Sequence, residues 1–401
     1  MPIQLSERVN SIKQSASIAA KKRVTQLQAE GRDIIDFTIG EPDLDTPAHI
    51  VDAAIQALRS GDTHYTATPG VPRLRALIAQ KLTHEAASAY EPDHVVVGSG
   101  AKQLIYEAFM ATLNPGDEVI VPAPYWVSYP DIAKLAEGVP VIAVSNESSA
   151  FKLTPQALQA SITPRSRWLI LNSPGNPSGA VYDAQEIAAL AQVLADHPHI
   201  MVMTDDIYDQ LVYDTHRHIN IVAAAPALKE RTLIINGFSK SYAMTGWRVG
   251  YAAGPAPLVN AIAKLIGQST TCVSSISQAG AIAALSGDHG FIEETRALYK
   301  ERRDLMHSII ASIPGVECAL PQGAFYLFPK VQGLMGKRTP QGVVISSDGD
   351  LVMYLLDAAG AAVMDGASYG LSPYLRLSYA TSLQAIEQGC LRIKQACGQL
   401  E

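Results

Sequence analysis

The stretch NGFSKSYAMTGWRVGY, residues 236–251, sets one lysine, Lys240, among small and hydroxyl residues, with Arg248 eight residues on. A lysine at a buried strand end is costly unless it is neutral, paired or covalently modified. An unperturbed lysine titrates near ~10.4, so only roughly one in a thousand is a nucleophilic amine at neutral pH. Making it mostly neutral takes a shift of about three units, or about 4 kcal/mol. Burial and a neighbouring cation can supply that shift. Arg248 could be the cation, if the AMTG loop folds it back, or it could clamp an anion. A lysine simply in solvent is the plain alternative.

Other polar residues fall at comparable places. Seven short apolar runs punctuate the middle of the chain: HVVVGSG (94–100), DEVIVPAP (117–124), PVIAVS (140–145), RWLILNSP (167–174), HIMVMTDD (199–206), RTLIINGFS (231–239) and WRVGYAAG (247–254). Each is β-branched and apolar on both alternating faces, as strands covered by helices on both sides are. Helical patterns such as 101–113 and 183–196 lie between them. The alternation predicts a mostly parallel sheet in an α/β layer sandwich. Open parallel sheets bind ligands beyond the carboxyl ends of their strands. Just there the sequence puts Gly100-Ala101-Lys102, Tyr125-Trp126, Asn172 to Gly179, Asp205 with Asp206 and Tyr208, and Ser239-Lys240.

Each has a bland reading. Gly98 to Ala101 makes a tight turn, although a helix starting there aims unpaired N–H groups outward and favours an anion. Trp126 fits a core position. Asp205 and Asp206 fit a pair of helix caps. The turn NSPGNPSG (172–179) needs its prolines and glycines for rigidity, but that leaves Asn172 and Asn176 unexplained.

Bulk properties limit the function classes. The 401 residues suit two domains, and a chain that is 48% hydrophobic and 17% charged can bury a large core. A net charge of −7 gives no electrostatic case for nucleic acid. The basic clusters at 21–23 and 300–303 read as solvated helix faces. Cys272, Cys318, Cys390 and Cys397 form no CxxC pair and no zinc-ligand spacing, so reduced thiols and no metal are expected. The first residues lack the apolar core of a signal peptide, and no apolar run is long enough to span a bilayer. A cytoplasmic protein with no membrane partner is the expectation. The last third changes character: a charged helical stretch (291–313), then GAFYLFPKV (323–331), a helix pattern at 350–360 and YLRLSYA (374–380) suggest a smaller α+β domain.

Seven segments, in order, resemble the fold-type I pyridoxal-phosphate aminotransferases, class I, of the bacterial aspartate aminotransferase type. They are DFTIGEPDLDTP (36–47), THYTATPGVPRLR (63–75), PYWVSYP (124–130), NSPGNPSGAVY (172–182), TDDIYDQLVY (204–213), SKSYAMTGWRVGY (239–251) and YLRLSYATS (374–382). The resemblance implies a seven-stranded, mostly parallel large domain (46–295) that binds pyridoxal 5′-phosphate, and a small α+β domain (1–45 plus 296–401). Lys240 matches the lysine to which the cofactor is covalently attached. Asp205 matches the carboxylate that keeps the pyridine nitrogen protonated, and Tyr208 and Asn176 the donors to the ring O3′. Trp126 matches the stacked aromatic. Gly100, Ala101, Lys102, Ser239 and Arg248 fall in or beside the phosphate site, with Tyr65 reaching it from a second subunit of a homodimer. Arg376 matches the arginine for the substrate α-carboxylate, with Gly40, Trp126 and Asn176 beside it.

The reaction implied is double displacement between an L-amino acid and a 2-oxo acid. Lys102 matches a lysine that some bacterial relatives use near an acidic side chain, and Ser15 and Ser17 lie in the N-terminal stretch that can cover the site. Both favour aspartate or glutamate with 2-oxoglutarate or oxaloacetate. Aromatic donors, prephenate, and a β-lyase on the same fold are the alternatives; a transcriptional sensor would need a DNA-binding domain ahead of the sheet, for which the sequence leaves no room. Two departures stand out. Gly237 occupies a position where many relatives carry a phosphate-binding serine, and Gly175 replaces a common asparagine.

Overall fold

The computed structural model describes residues 3–12 and 16–401, with the side chains of 16–19 and 21 left aside. Twelve strands are present among these residues: β1 (Ile35–Asp36), β2 (Val95–Gly98), β3 (Glu118–Ala123), β4 (Val139–Val144), β5 (Ser166–Asn172), β6 (Met201–Asp205), β7 (Thr232–Gly237), β8 (Gly250–Ala253), β9 (Tyr326–Leu327), β10 (Ala361–Ala362), β11 (Met364–Asp365) and β12 (Leu375–Ser378). All seven apolar runs become strands of one sheet, in the order β2-β8-β7-β6-β5-β3-β4.

Side-chain alternation explains why these strands look apolar throughout. Val95, Val97, Leu169, Leu171 and Ile234 enter one core, whereas Val96, Trp168, Ile170, Leu233 and Ile235 enter another on the opposite face. Both faces are covered on the inner strands, so neither can be polar there, whereas the edge strand β4 leaves Val139, Ile142 and Val144 exposed. The helix Ala101–Thr112 covers one face with Leu104, Ile105, Ala108 and Phe109. Indole Nε1 of Trp168 donates to Thr112 Oγ1 at 2.8 Å, which satisfies the buried ring nitrogen.

One strand runs against the rest. β8 is antiparallel to both β7 and β2. The twelve residues between Gly237 and Gly250 sit at the lower limit for a helical crossover to a parallel neighbour, and they form turns with no helix. The consequence is local and large. The chain leaves the carboxyl end of β7, passes Lys240, turns, and re-enters the sheet at the same edge just after Arg248. The spacing of these two cations is therefore the width of one β-hairpin-like return. Register places Asn172 beside Asp205, and Gly237 and Gly98 each opposite Gly250, on that same edge.

The remaining strands form a three-stranded antiparallel sheet, β11-β12-β9, and a parallel pair, β1-β10. Helices Gly290–Ile310, Asp348–Ala358 and Leu383–Cys397 pack with them around Phe325, Leu327, Leu355 and Ile386. The early residues join this part. Val24, Leu27 and Ile34 pack on Leu356 and Ala362, and Phe37 lies in the core with Leu377. Of GAFYLFPKV only Tyr326–Leu327 is strand. No helix among the described residues is long and apolar enough to cross a membrane. Among them no group of His, Cys, Asp or Glu could hold a metal ion, and the four cysteines are free.

Candidate active site

Beyond the carboxyl edge of the sheet lies a cavity of about 370 Å³. Its wall includes Gly40, Ala101, Lys102, Trp126, Asn176, Asp205, Tyr208, Ser239, Lys240, Arg248 and Arg376, brought from both parts of the fold. Of the residues singled out in the sequence, Gly100 caps the adjoining helix. Tyr65 stands apart, 86% exposed on the surface. Ser15 lies outside the described residues, as does the side chain of Ser17.

The Lys240 amine donates to Gly40 O at 2.6 Å. Burial lowers its pKa to about 8; Arg248 and Arg376 push the same way, while Glu41 and Asp205 oppose them. Arg248 thus does act as a neighbouring cation, but burial is the larger cause. Its guanidinium donates to Thr245 O at 3.0 Å and Ser99 O at 3.1 Å, over the start of the helix Ala101–Thr112. That helix begins at Gly100 with no side-chain cap, so its first N–H groups stay open toward the cavity.

Gly100 has φ +84°, and a Cβ there would lie 2.6 Å from Arg248 Nη2. Gly250 is equally constrained, since its Cβ would lie 2.9 Å from Ala101 N. With ψ 163°, Gly100 holds a backbone conformation open essentially to glycine alone, so a Gly100→Ala variant is expected to lose about 1–3 kcal/mol from backbone strain, read as a lower Tm in thermal denaturation. Position 237 is closed as well. A Cβ on Gly237 would meet Gly250 Cα at 3.0 Å, so a serine there would need β8 to give by a few tenths of an ångström. Ser239, buried on the cavity wall, is the hydroxyl that remains.

Asp205 ends β6, buried to 4% exposure. The residues after it form turns rather than a helix, which removes the capping explanation. Tyr129 OH donates to Asp205 Oδ2 at 2.6 Å, and Ile207 N–H to Oδ1 at 3.3 Å. Burial raises the Asp205 carboxyl to about 6; Asp206 adds to this, and the bonds from Tyr129 and Ile207 oppose it. Asn172 explains itself structurally. Its Nδ2 donates to Asp205 O at 2.7 Å and its Oδ1 accepts from Asn176 N at 2.8 Å, fixing the turn to the strand end.

Arg376, on β12, is 2% exposed. It donates to Thr38 O at 2.7 Å and Asn176 Oδ1 at 3.3 Å, and lies over the rings of Tyr326 and Tyr369 at 4.5 and 5.0 Å. Its Nε has no partner among the described residues. Buried donors are nearly always satisfied, so an orphan on this cavity-lining side chain is an exception that a bound acceptor would explain. Asn176 uses its Oδ1 on Arg376, which leaves the Nδ2 end as a donor. Tyr208 OH lies 2.9 Å from Tyr326 OH. Lys102 Nζ sits 4.7 Å over the Trp126 ring, and burial, then Arg248, lowers its pKa.

Sequence reasoning missed Tyr129, Tyr326 and Thr38. Tyr129 had a faint signal, because it lies three residues after Trp126 in the segment PYWVSYP; in the structure the two rings meet edge-on at 5.3 Å. Tyr326 and Thr38 had none, since only the packing of the small sheet brings them here.

A basic wall, one lysine of lowered pKa, a buried acid and an incompletely bonded arginine together ask for a ligand with several anionic groups and a carbonyl. Comparison with known proteins decides the family: the model for aminotransferase class I and II matches residues 32–393. The chain belongs to the aminotransferase class I and II family. An aspartate aminotransferase of Rhizobium meliloti strain 1021 is 46% identical over 397 residues, 99% of this chain and 97% of that protein. An aspartate/prephenate aminotransferase of Cereibacter sphaeroides is 46% identical over 99% of both chains. The crystal structure of the Rhizobium meliloti aspartate aminotransferase superposes with a TM-score of 0.97 over the whole of both chains, at 46% identity. That of the Thermus thermophilus enzyme with maleate gives 0.92 at 36% identity, covering 98% of this chain and all of that one. The protein is an aminotransferase with the α/β fold of these enzymes.

Proposed function

We propose that this aminotransferase binds pyridoxal 5′-phosphate at Lys240 and moves the amino group of aspartate or glutamate to 2-oxoglutarate or oxaloacetate by double displacement. One observation carries the reading: an amine lowered to about 8 shares a cavity with a buried carboxylate and an arginine whose Nε is unsatisfied. The residues fit the cofactor. The uncapped helix start and Arg248 suit a phosphate, and the Gly100 and Gly250 approaches admit no Cβ. When bound, the cofactor supplies an aldehyde to carry the amino group and a cationic ring that draws electrons from the substrate Cα.

The chain supplies the rest. Asp205 keeps the pyridine nitrogen protonated through a charge-assisted hydrogen bond, with Tyr129 holding the carboxylate in place. The Nδ2 of Asn176 and the hydroxyl of Tyr208 donate to the ring oxygen. Trp126 covers the ring. Ala101, Ser239 and Arg248 anchor the phosphate, away from the reacting atom. Arg376 grips the substrate α-carboxylate beside Gly40, because a guanidinium fork matches two oxygens at once. Once the incoming amino group has displaced it, the Lys240 amine would remove the Cα proton and deliver it to the former aldehyde carbon, across the shared nitrogen, as general base and then acid. Lys102 faces the side-chain carboxylate. Maleate, the ligand named with the Thermus thermophilus structure, is a dicarboxylate, which supports an acidic substrate.

The exposed ring of Tyr65 supports a homodimer in which Tyr65 of one copy reaches the phosphate site of the other. The division into a cofactor-binding domain, 46–295, and a small domain, 1–45 with 296–401, is supported by the cores on the large sheet and the one around Leu355, although Ile207, Tyr208, Leu211 and Tyr213 join the latter and the boundary at 295 falls within the helix Gly290–Ile310. Acceptors beyond 2-oxoglutarate and oxaloacetate are a second reading, favoured by the aspartate/prephenate name of the Cereibacter sphaeroides relative.

Incubation with pyridoxal 5′-phosphate should turn the protein yellow, and borohydride should then fix the cofactor at Lys240, located by peptide mass. Attachment needs the neutral amine. Below its pKa of about 8 the rate should rise about tenfold per pH unit and then level off. Colourless protein with no adduct at 240 would sink the proposal. A donor panel with 2-oxoglutarate should rank aspartate and glutamate first. Prephenate as acceptor tests the wider reading, and ammonia release without any 2-oxo acid would point to the lyase.

A further inference from the structure

The turn after β6 buries three carboxylates, Asp205, Asp206 and Asp209. Asp205 opens on the cavity just described, whereas Asp209 borders a second depression lined also by Glu85 and His218. Asp209 is well compensated: Lys81 Nζ lies at 3.1 Å and Asn236 Nδ2 donates at 2.9 Å. Lys81 also binds Glu85, at 2.9 Å. Asp206, 2% exposed, accepts from the Thr204 hydroxyl. Its cationic partner among the described residues is His218, whose Nε2 lies 3.4 Å from Oδ2.

Adjacent buried carboxylates each disfavour the other's ionisation. Asp205 and Asp206 are neighbours in sequence, and both are out of water. Four acids, counting Asp209 and Glu85, crowd this turn against Lys81 and His218. Neutral His218 would leave Asp206 as an uncompensated anion beside the acid of the cofactor site. Burial lowers the His218 pKa, but Asp206, Asp209 and Glu85 outweigh it, so the ring is held more basic than usual.

We propose that His218 is a positioning residue for the cofactor acid: by cancelling the charge of Asp206 it keeps Asp205 ionised for the pyridine ring. The other groups around the imidazole are of mixed sign. His84 comes from the helix Pro72–Ala86, and Glu293, Arg296 and Lys300 from the helix Gly290–Ile310. Asp214, His216 and Arg217 share its own loop. None of these is paired with Asp206 in the described structure, which leaves that task to His218.

This inference rests on the cofactor reading, and its test separates the two. Pyridoxal 5′-phosphate affinity is measured by absorbance titration of the cofactor-stripped protein between about pH 5 and pH 9. The wild type, His218→Asn, Asp206→Asn and the double variant are compared, each checked for folding by circular dichroism. Wild-type affinity should fall on the acid side as Asp205 takes up a proton. His218→Asn should move that fall up by about one unit, or about tenfold weaker binding at a pH on the slope. Asp206→Asn should move it down, and this holds even if the histidine variant does not fold. The double variant should return close to wild type, a rescue that a merely structural histidine would not give. Superimposable curves for the wild type and either single variant would overturn the proposal, as would a double variant no better than His218→Asn. A wild type that binds no cofactor at any pH would instead remove the cofactor reading, and this proposal with it.

Discussion

Lys240→Ala should lower kcat by at least roughly 10⁴-fold, the upper range for loss of a general acid–base group, with the borohydride adduct lost as well. The cavity holds a second amine, Lys102, so the size of the effect is not trivial. Lys102 lies over the Trp126 ring, whereas Lys240 reaches Gly40 O and is close enough to Arg376 to feel its charge. That favours Lys240 over the amine at the indole for a proton held at the arginine. Lys240→Arg is the informative control. It keeps the cation but, with a side-chain pKa above ~12, offers no neutral base. It should be as inactive as alanine. The measurement is single-turnover conversion of aspartate, followed by the cofactor absorbance. Either variant keeping more than about a tenth of the wild-type rate would assign the proton transfer elsewhere.

Asp205→Asn should cost roughly 10²–10³-fold in kcat, the usual loss on removing one preorganised electrostatic partner. The amide is nearly isosteric, and Tyr129 OH, now 2.6 Å from Oδ2, keeps an acceptor. The change therefore isolates charge from shape. Without the anion the ring nitrogen loses its proton at neutral pH, and the pull on Cα goes with it. Cofactor affinity should weaken too, by roughly tenfold or more, since hydrogen bonds to charged groups contribute about 1.5–3 kcal/mol. Absorbance spectra of the bound cofactor across pH and initial rates give both numbers. A variant with normal kcat and only weaker binding would make Asp205 an anchor rather than an electronic partner.

These two residues were visible in the sequence for one shared reason. Asp205 follows an apolar run that could only be a buried strand, and parallel strands present their carboxyl ends to ligands. Lys240 follows the next one. The edge was therefore legible from periodicity alone. Roles were not. Capping and catalysis fitted Asp205 and Asp206 equally from composition, and only the resemblance of seven ordered segments separated them. The structure then removed the capping reading by showing turns where a helix was needed.

What the sequence determined by itself is the set of local elements and the edge they share. Two-faced apolar runs have one stable setting, a sheet covered on both sides, and the residues just past their ends must lie together. What only the tertiary structure decided is everything that depends on direction and distance between segments far apart in the chain. Arg248 shares an edge with Lys240 because β8 runs antiparallel. Tyr129 reaches Asp205 across 76 positions, and Thr38 meets Arg376 across 338. Asp206 meets His218 through a loop that no pattern marks. Such contacts leave no periodic trace, because packing and long-range closure make them, not the local preferences that residue order records.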